Sequence, residues 1–568
     1  MTGKIQLRQD NLLQRDFRIN TCRRTTVENI AETLQKISRR KKNETGLIEA
    51  KNGKKVSFGQ LNELSDRFGV YLKEQGVGAG DRVMLMVRPS AEFICLTFAL
   101  FKIGAPVVLI DPGMGYKNLL GCIERVRPDV LIAIPKAVLF SRVFRKQFQS
   151  VKKTFCCGFS LFNLLGRDIR RGGKQEGKSL EEIFRPSEDD LAAIIFTTGS
   201  TGPPKGVRYE HSIFAAQLRL IRDYYQIGDG DIDLPAFPLF ALFTTALGGC
   251  AVIPDMDPTR PARVDPGKFV DAINRYNVTY SFGSPAIWNV VSRYCVKQGI
   301  ILKSVRKVLM AGAPVPWDLL QRVTRILPED SEIFTPYGAT ESLPIASIRG
   351  REILAGTWEK SRIGKGTCVG FPLPGITIKI IALVEGPIDH LSEVRELPPH
   401  RIGEIIVQGD VVTKAYENND KETRFAKIAD ENGFWHRMGD MGYFDERGRL
   451  WFCGRKAHRV ELADRTLYSV PCEAIINEHP DVYRSALVGI GRNGKGKCTD
   501  AVLIVEPYDF KKTDSDRLLA EIEKLASENA LTEAVNYFLI HESFPVDIRH
   551  NAKIFREKLA LWAEEKLS

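Results

Sequence analysis

A chain of 568 residues is too long for one ordinary hydrophobic core, so the sequence predicts two or more domains. Apolar residues make up 43% of the chain and charged residues 27%, which is typical of a soluble globular enzyme. The longest apolar runs, such as residues 93–101, are shorter than the roughly 20 residues that a membrane-spanning helix needs. The net charge of +11 comes without zinc-finger spacing or an aromatic RNA motif, which argues against a nucleic-acid partner.

The cysteines and the first residues of the chain indicate the cellular compartment in which the protein resides. The eleven cysteines include no C-x-x-C pair, and Cys156 and Cys157 are adjacent, so they cannot easily bridge to each other. The first residues are polar and arginine-rich, with no apolar signal segment. Together these features predict a cytoplasmic protein with free thiols.

Residues 1–45 are predicted to form a basic, helical lead-in. Residues 1–44 contain eleven Lys and Arg residues against five Asp and Glu residues. Such a surplus fits an ordinary solvated face. The alternative is a dock for an acidic partner or an anionic membrane surface.

Strand and helix patterns then alternate along the chain. Ser57 is expected to cap an amphipathic helix, and residues 91–103 are expected to form an apolar helix. Strands are predicted at residues 81–87, 106–110, 130–134, 192–196, 278–282 and 305–310. This alternation indicates a parallel sheet with helical crossovers, and hence an α/β fold.

Two basic stretches interrupt this pattern. Residues 141–153 contain five Lys and Arg residues and no acidic residue, spaced by apolar side chains. We expect a surface helix with an apolar underside; a membrane-facing helix is the alternative if the substrate is a lipid. Residues 166–178 are expected to form a mobile, glycine-rich basic loop.

The character of the sequence changes after about Phe371. Short alternating strands at residues 376–380, 402–407 and 450–453 predict a smaller, mostly antiparallel subdomain over about residues 371–455. From Lys456 to Ser568 a compact α+β unit is expected, with strands at residues 487–490 and 501–505 and a helix at residues 518–526.

The most informative stretch is residues 191–206, LAAIIFTTGSTGPPKG, in which an apolar strand runs into a loop of glycines, hydroxyls and one lysine. Backbone N–H groups, short hydroxyls and a cation, with no carboxylate among them, suit a polyphosphate. The loop is not a Walker motif, because Lys205 follows Pro203 and Pro204 and does not open a helix. The predicted phosphate-binding residues are Thr197, Thr198, Gly199, Ser200, Thr201, Gly202 and Lys205.

This loop resembles that of the adenylate-forming superfamily, and further stretches match its motifs in order. The resemblance covers about residues 45–568. It implies a large N-terminal lobe (residues 1–455), a mobile C-terminal domain (residues 456–568), ATP and Mg²⁺. It also implies roles for individual residues: Gly312, Ala313 and Pro314 beside adenine, Tyr337 and Gly338 at the adenine, Thr340 on the α-phosphate, Glu341 on Mg²⁺, Asp440 on the ribose, Arg455 on ribose and phosphate, and Lys553 as the adenylation lysine.

Departures from the common motifs of the superfamily indicate to which of its branches the chain is similar. Ala241 stands where many acyl-CoA ligases have a histidine, and Ala457 replaces the hinge aspartate, which puts a normal CoA handoff in doubt. Phe237, Phe240 and Phe243 are candidates for an apolar acyl channel, although aromatic residues at this spacing are equally consistent with ordinary core.

FPLFALF, IPDMDPTRP, TPYGATE and FCGRK-x-HRVE together resemble the β-lactone synthetases of bacterial long-chain olefin biosynthesis. That resemblance implies a 2-alkyl-3-hydroxyalkanoic acid substrate, release of AMP and pyrophosphate, and an assembly with the reductase and decarboxylase of that pathway. The alternatives are a long-chain acyl-CoA or acyl-AMP ligase and a catalytically silent scaffold. The base for ring closure stays open, with His436 and His458 as candidates because they adjoin motifs.

Overall fold

The computed structural model describes residues 27–158, 166–174, 177–197, 202–237, 239–491, 498–546 and 553–568. The strands in chain order are β1 (Thr45–Glu49), β2 (Lys54–Ser57), β3 (Val83–Met86), β4 (Val107–Leu109), β5 (Val130–Ala133), β6 (Lys153–Cys156), β7 (Arg167–Asp168), β8 (Leu191–Phe196), β9 (Gly206–Glu210), β10 (Ile232–Asp233), β11 (Cys250–Ile253), β12 (Tyr280–Gly283), β13 (Lys307–Met310), β14 (Glu332–Ala339), β15 (Ser342–Arg349), β16 (Thr367–Pro372), β17 (Thr377–Ile381), β18 (Gly403–Gln408), β19 (Lys427–Asp430), β20 (Gly433–Phe444), β21 (Leu450–Arg455), β22 (Val460–Glu461), β23 (Thr466–Leu467), β24 (Val482–Ile490), β25 (Asp500–Pro507) and β26 (Tyr537–Ile540).

The α-helices in chain order are α1 (Ile30–Arg40), α2 (Phe58–Glu74), α3 (Ala91–Ile103), α4 (Tyr116–Val126), α5 (Pro135–Val143), α6 (Arg170–Gly173), α7 (His211–Tyr225), α8 (Phe240–Ala246), α9 (Pro266–Tyr276), α10 (Pro285–Gln298), α11 (Trp317–Arg325), α12 (Gly350–Glu352), α13 (Trp358–Lys360), α14 (Asp420–Ala426), α15 (Ser469–Ile476), α16 (Ser515–Ser527) and α17 (Arg556–Leu567). Short 3₁₀ turns lie at Pro112–Met114, Pro261–Arg263, Leu391–Glu393 and Lys456–His458, and π-helical turns at Ile353–Thr357 and Ser361–Lys365. No helix among the described residues is long and apolar enough to cross a bilayer.

Two large sheets carry the N-terminal part of the chain. One has seven strands in the order β7-β6-β5-β3-β4-β8-β9, all parallel except β9, which returns antiparallel to β8. The other has fourteen strands. Its middle is parallel, in the order β14-β13-β12-β10-β11-β1, and its far side is antiparallel, in the order β15-β16-β21-β20-β18-β17. The predicted α/β class and the antiparallel region after about residue 371 are confirmed, and that region continues the large sheet through the β15–β16 pair.

The helices follow their sequence signals. Ser57 caps α2 in a capping box with Gln60, as predicted. Every residue of α3 except Glu92 is buried, which is what an apolar pattern on all sides of a helix requires. The lead-in helix α1 packs its apolar face on the core, and Arg40 and Lys41 at its end both pair with Asp229, so part of the basic surplus is neutralised within the chain.

Two predictions on the basic stretches are wrong. The helix expected over residues 141–153 is α5, which begins at Pro135 and ends at Val143, because the chain must turn back to enter β6 at Lys153. Residues 166–174 are not a simple loop: β7 pairs with β6, α6 follows, and Ile169 and Gly172 are buried.

The C-terminal part contains the two-stranded sheet β22-β23 and a three-stranded sheet, in the order β24-β25-β26, with a hydrophobic core on each face. Helices α15 and α17 contact β24, and α16 contacts β26. The strands and the helix predicted for this unit are confirmed within a few residues.

A buried carboxyl group beside the predicted acyl channel makes stability depend on pH. Asp233 is completely buried and accepts a hydrogen bond from Thr244 Oγ1 at 2.7 Å, and Thr244 Oγ1 lies 2.7 Å from the hydroxyl of Tyr280. Burial raises the pKa of Asp233 to about 8. The folded protein therefore holds this carboxyl protonated at pH values where the unfolded chain ionises it.

We expect the free energy of unfolding of D233N to fall less with rising pH than that of the wild type. Because the folded pKa is raised, the stabilisation from Asp233 is complete below its unfolded pKa and is lost as pH rises to the folded pKa. Between about pH 5 and pH 7 the wild-type free energy of unfolding should fall relative to that of D233N by about 1 kcal/mol per pH unit. Urea unfolding across this range measures the difference, and D223N, at an exposed carboxylate, should behave as wild type. Parallel curves for wild type and D233N would contradict the assignment.

Candidate functional site

The phosphate-loop residues lie between β8 and β9, at the carboxyl end of a parallel strand, where α/β sheets place ligands. The backbone N–H of Thr197 donates to the carbonyl of Lys205 at 3.0 Å, and the N–H of Lys205 donates to Thr197 Oγ1 at 3.1 Å. These bonds close the base of the loop. Thr198, Gly199, Ser200 and Thr201 lie outside the described residues, and Gly202 begins the next described range.

Residues 411–418, which we name the linking segment, join this loop to the other large sheet. On one side Tyr416 pairs with Val207 of β9, and the N–H of Glu417 donates to the carbonyl of Gly206 at 2.7 Å. On the other side Val412 pairs with Ser342, and the N–H of Thr413 donates to the carbonyl of Glu341 at 2.9 Å. The segment therefore fixes the loop after β8 relative to the turn after β14.

Lys205, Thr340 and Glu341 converge at this junction. The hydroxyl of Tyr416 donates to Glu341 Oε1 at 2.7 Å, and Lys205 Nζ lies 5.1 Å from the centre of the Tyr416 ring. Lys205 also pairs with Glu422 Oε2 at 2.5 Å. The hydroxyl of Tyr209 donates to the carbonyl of Thr340 at 2.5 Å. A carboxylate close to a phosphate loop is a hard oxygen donor, so these residues fit Mg²⁺ held jointly by protein and phosphate oxygens.

Asp440 and Arg455 stand opposite each other on β20 and β21. Arg455 Nη1 donates to Asp440 Oδ1 at 2.8 Å and to the carbonyl of Met438 at 3.0 Å, and the Tyr337 hydroxyl donates to Asp440 Oδ2 at 2.5 Å. The charge of Asp440 raises the pKa of Arg455, and burial together with Asp440 raises that of Tyr337. Each carboxylate oxygen keeps a second lone pair, so Asp440 can still accept the two hydroxyls of a ribose.

The glycines predicted at the adenine side have steric reasons. Gly312 follows β13 with a φ of +99°, a left-handed conformation that favours glycine. A Cβ on Gly338 would lie 2.6 Å from the carbonyl oxygen of Ser342 across the β14–β15 hairpin. Ala313 and Pro314 continue the turn after β13, and their contact with a base stays a prediction.

Lys427 is a site residue that the sequence analysis missed. It begins β19, opposite His436 of β20, and its Nζ donates to the carbonyl of Thr413 in the linking segment. Burial lowers the pKa of Lys427 to about 7, although the charges of Glu341 and Glu210 act in the opposite direction. Lys427 thus supports the residue that in turn holds the Glu341 backbone.

The two candidate histidines are weak bases. Burial, followed by the charge of Lys427, holds the pKa of His436 well below its usual range. Burial and the charges of Arg556 and Arg455 lower the pKa of His458 to about 3. A general base works best with a pKa near the operating pH, so this environment favours neither histidine.

The three phenylalanines of the predicted acyl channel form a row. The Phe240 ring lies 6.0 Å from those of Phe237 and Phe243 and stacks on Phe282 at 3.6 Å. Phe243 also contacts Phe214 in the main core. The geometry is compatible with both alternatives left open by the sequence, and the acyl contact stays a prediction.

Lys553 lies three residues before the start of α17 and is partly exposed. Its neighbour Ile554 is buried in the C-terminal core, and Arg556 binds both oxygens of Glu473 at 2.7 Å. His458 Nε2, in the turn after β21, lies 3.9 Å from Glu557 Oε1, so the start of α17 is near the end of β21. The catalytic role of Lys553 stays a prediction.

Comparison with known proteins decides the family. The model of the AMP-binding enzyme family matches residues 34–417. The chain belongs to this family. It is 43% identical to an olefin β-lactone synthetase of Xanthomonas campestris, over 96% of this chain and 99% of that protein. A protein of the same description from Stenotrophomonas maltophilia is 42% identical over 90% of this chain and 92% of its own length.

More distant family members include a long-chain-fatty-acid–CoA ligase of Thermus thermophilus, 24% identical over 77% of this chain and 78% of that protein. Among solved structures, the amide bond synthetase McbA of Marinactinospora thermotolerans has the same fold. It superposes with a TM-score of 0.76 at 22% identity, covering 94% of this chain and 99% of that one. The expected α/β fold and family membership are therefore confirmed.

We expect K427M to weaken the use of Mg²⁺. Loss of the ammonium leaves the buried Thr413 carbonyl without its donor, at a cost of about 1–3 kcal/mol, and loosens the contact that holds Glu341. The Mg²⁺ concentration for half-maximal pyrophosphate release should rise by about tenfold, and K427R should recover part of the loss. K379M removes a lysine of the same sheet that pairs with Glu396 and serves as control. Unchanged Mg²⁺ dependence in K427M would refute this role.

Proposed function

We propose that the chain is an ATP- and Mg²⁺-dependent β-lactone synthetase. It adenylates a long-chain 2-alkyl-3-hydroxyalkanoic acid and closes the β-lactone, with release of pyrophosphate and AMP. The observation that carries the proposal is 43% identity, over 96% of the chain, to a protein described as an olefin β-lactone synthetase. Convergence of Lys205, Glu341 and the Asp440–Arg455 pair supports the adenylation half.

In the first step the substrate carboxylate attacks the α-phosphorus, and the bond to the β-phosphate oxygen breaks. Lys205 is proposed to bind the phosphates, Glu341 to hold Mg²⁺ and Thr340 to bond the α-phosphate. Lys553 would neutralise the charge that develops on the phosphoryl oxygens. Asp440 and Arg455 would orient the ribose, which fixes the α-phosphorus in line with the acid.

In the second step the 3-hydroxyl oxygen attacks the activated acyl carbon, the bond to the AMP oxygen breaks, and the hydroxyl proton is released. Because the nucleophile is already tethered beside the carbonyl, its placement can supply about 7–11 kcal/mol of the barrier, partly offset by ring strain. The protein must then keep water and free thiols from the anhydride. A channel lined by Phe237, Phe240 and Phe243 would serve that purpose.

The hinge supports this choice over transfer to CoA. Ala457 stands at the position of the common hinge aspartate, and the residues on either side are engaged in ion pairs. Lys456 Nζ lies 3.1 Å from Glu404 Oε2, and Arg459 Nε donates to Glu461 Oε1 at 2.8 Å and also pairs with Glu385.

A long-chain acyl-CoA or acyl-AMP ligase remains the second candidate, favoured by the similarity to the Thermus ligase. We also propose that the chain forms a complex with the reductase and the decarboxylase that act before and after it.

Product analysis tests the proposal directly. The purified chain is incubated with ATP, Mg²⁺ and a 2-alkyl-3-hydroxy acid, with and without CoA, and the organic products are identified by NMR. We expect a β-lactone, AMP and pyrophosphate in equal amounts, with no effect of CoA. A thioester formed with CoA would assign the ligase activity instead, and absence of any lactone would refute ring closure.

We expect K553A to retain ATP binding and to lose adenylation by at least about a hundredfold, the scale of removing one preorganised transition-state contact. Pyrophosphate release measures the step, and equilibrium dialysis measures ATP binding. K558A removes an exposed lysine of the neighbouring helix α17 and should match wild type. Unchanged pyrophosphate release in K553A would contradict the role assigned to Lys553.

A further inference from the structure

An exposed apolar platform lies on α4 and α5 and includes none of the residues of the proposed reaction. Tyr116 is 73% exposed, Leu139 50% and Val143 76%. These side chains stand on an aromatic base: Tyr116 stacks on Phe140 at 5.8 Å, and Phe140 lies 4.6 Å from Phe144. Large apolar side chains held outward by an ordered base indicate an interaction surface.

Cations surround this platform. Residues 130–166 contain no Asp or Glu, while six Lys and Arg residues lie between positions 136 and 153. Lys152 pairs with Asp129 at 2.9 Å. The ion pairs found among the described residues do not include Lys117, Lys136, Arg145 or Lys146, and all four side chains are exposed. The surface is therefore apolar at its centre and positively charged at its margin.

The topology places this platform at the carboxyl-terminal edge of the seven-stranded sheet, where the phosphate loop also lies. Tyr116 and Pro135 follow the carboxyl ends of β4 and β5, and the phosphate loop follows the carboxyl end of β8 in the same parallel sheet. Three strand spacings separate β5 from β8, or about 14 Å. A flat partner that contacts the platform would thus lie on the side of the sheet where the nucleotide is proposed to bind.

We propose that this face docks on an anionic lipid bilayer. An apolar patch rimmed by Lys and Arg matches the headgroup boundary, in which apolar side chains enter the acyl region and cations meet lipid phosphates. Each such cation near an anionic membrane raises affinity by roughly fivefold. The long alkyl chains of the acid, which rest on the proposed function, would partition into the same bilayer. Docking itself does not depend on ring closure.

Vesicle flotation of the full chain tests the proposal. We expect binding to phosphatidylcholine vesicles containing about one-third phosphatidylglycerol, weak binding to phosphatidylcholine alone, and loss of binding as salt rises from about 50 to 500 mM. L139E/V143E should weaken binding at least about tenfold, as should K136E/R145E/K146E. V296E/I301E changes two other exposed apolar residues and should bind as wild type.

Correct folding of each variant is checked by its melting temperature and by ATP-dependent pyrophosphate release from detergent-dispersed substrate, which should equal wild type. Equal binding to neutral and anionic vesicles would overturn the proposal, as would wild-type binding by L139E/V143E. Failure of the wild type to bind any vesicle would overturn it too. None of these outcomes bears on lactone formation, so the two proposals fail separately.

Discussion

The linking segment, residues 411–418, is the constraint on which the site depends. It pairs with β9 of one sheet and with the start of β15 of the other, so neither sheet can shift without breaking backbone hydrogen bonds. Glu417 within it is almost completely buried and pairs with Arg82 and Arg208. Loss of both arginines would leave a buried carboxylate without a partner, so these ion pairs favour the observed position of the segment.

This constraint extends to the charged groups through short contacts. Tyr416 bonds the carboxylate of Glu341 and lies under Lys205, while Thr413 bonds the carbonyl of Glu341 and is itself held by Lys427. Without these contacts, the side chains of Lys205 and Glu341 would be free to move when a triphosphate binds. Here backbone pairing between the sheets fixes their positions in advance, which is the condition for electrostatic stabilisation of a transition state.

The sequence predicts those parts of the candidate site that are encoded in short local motifs. Short motifs contain most of the candidate residues, and the residue types in each motif indicate its chemistry. These motifs are the loop around Lys205, the turn at Glu341 and the two strands that carry Asp440 and Arg455. Tyr416 was missed because it bonds Glu341, 75 positions away in the chain. Lys427 was missed because its partner Thr413 lies in a segment with no motif, and a lysine that begins a strand has no distinguishing sequence signal. The end of α5 at Val143 was missed for a similar reason, since the position of β6 fixes it.

The chemistry proposed for the second step is consistent with the contacts of Lys456, which lies at the proposed hinge. Glu404 is buried and shared by Arg437 at 2.6 Å and Lys456 at 3.1 Å, and burial lowers the pKa of Lys456 against the effect of Glu404. Moving Lys456 away would remove one of the two cations that pair with the buried Glu404, which is costly in a desolvated place. Transfer of the acyl group to a separate thiol would require a site for that thiol. Capture by an alcohol on the same acyl chain requires no second acceptor, so a tethered nucleophile is consistent with the ion pairs that hold Lys456 in place.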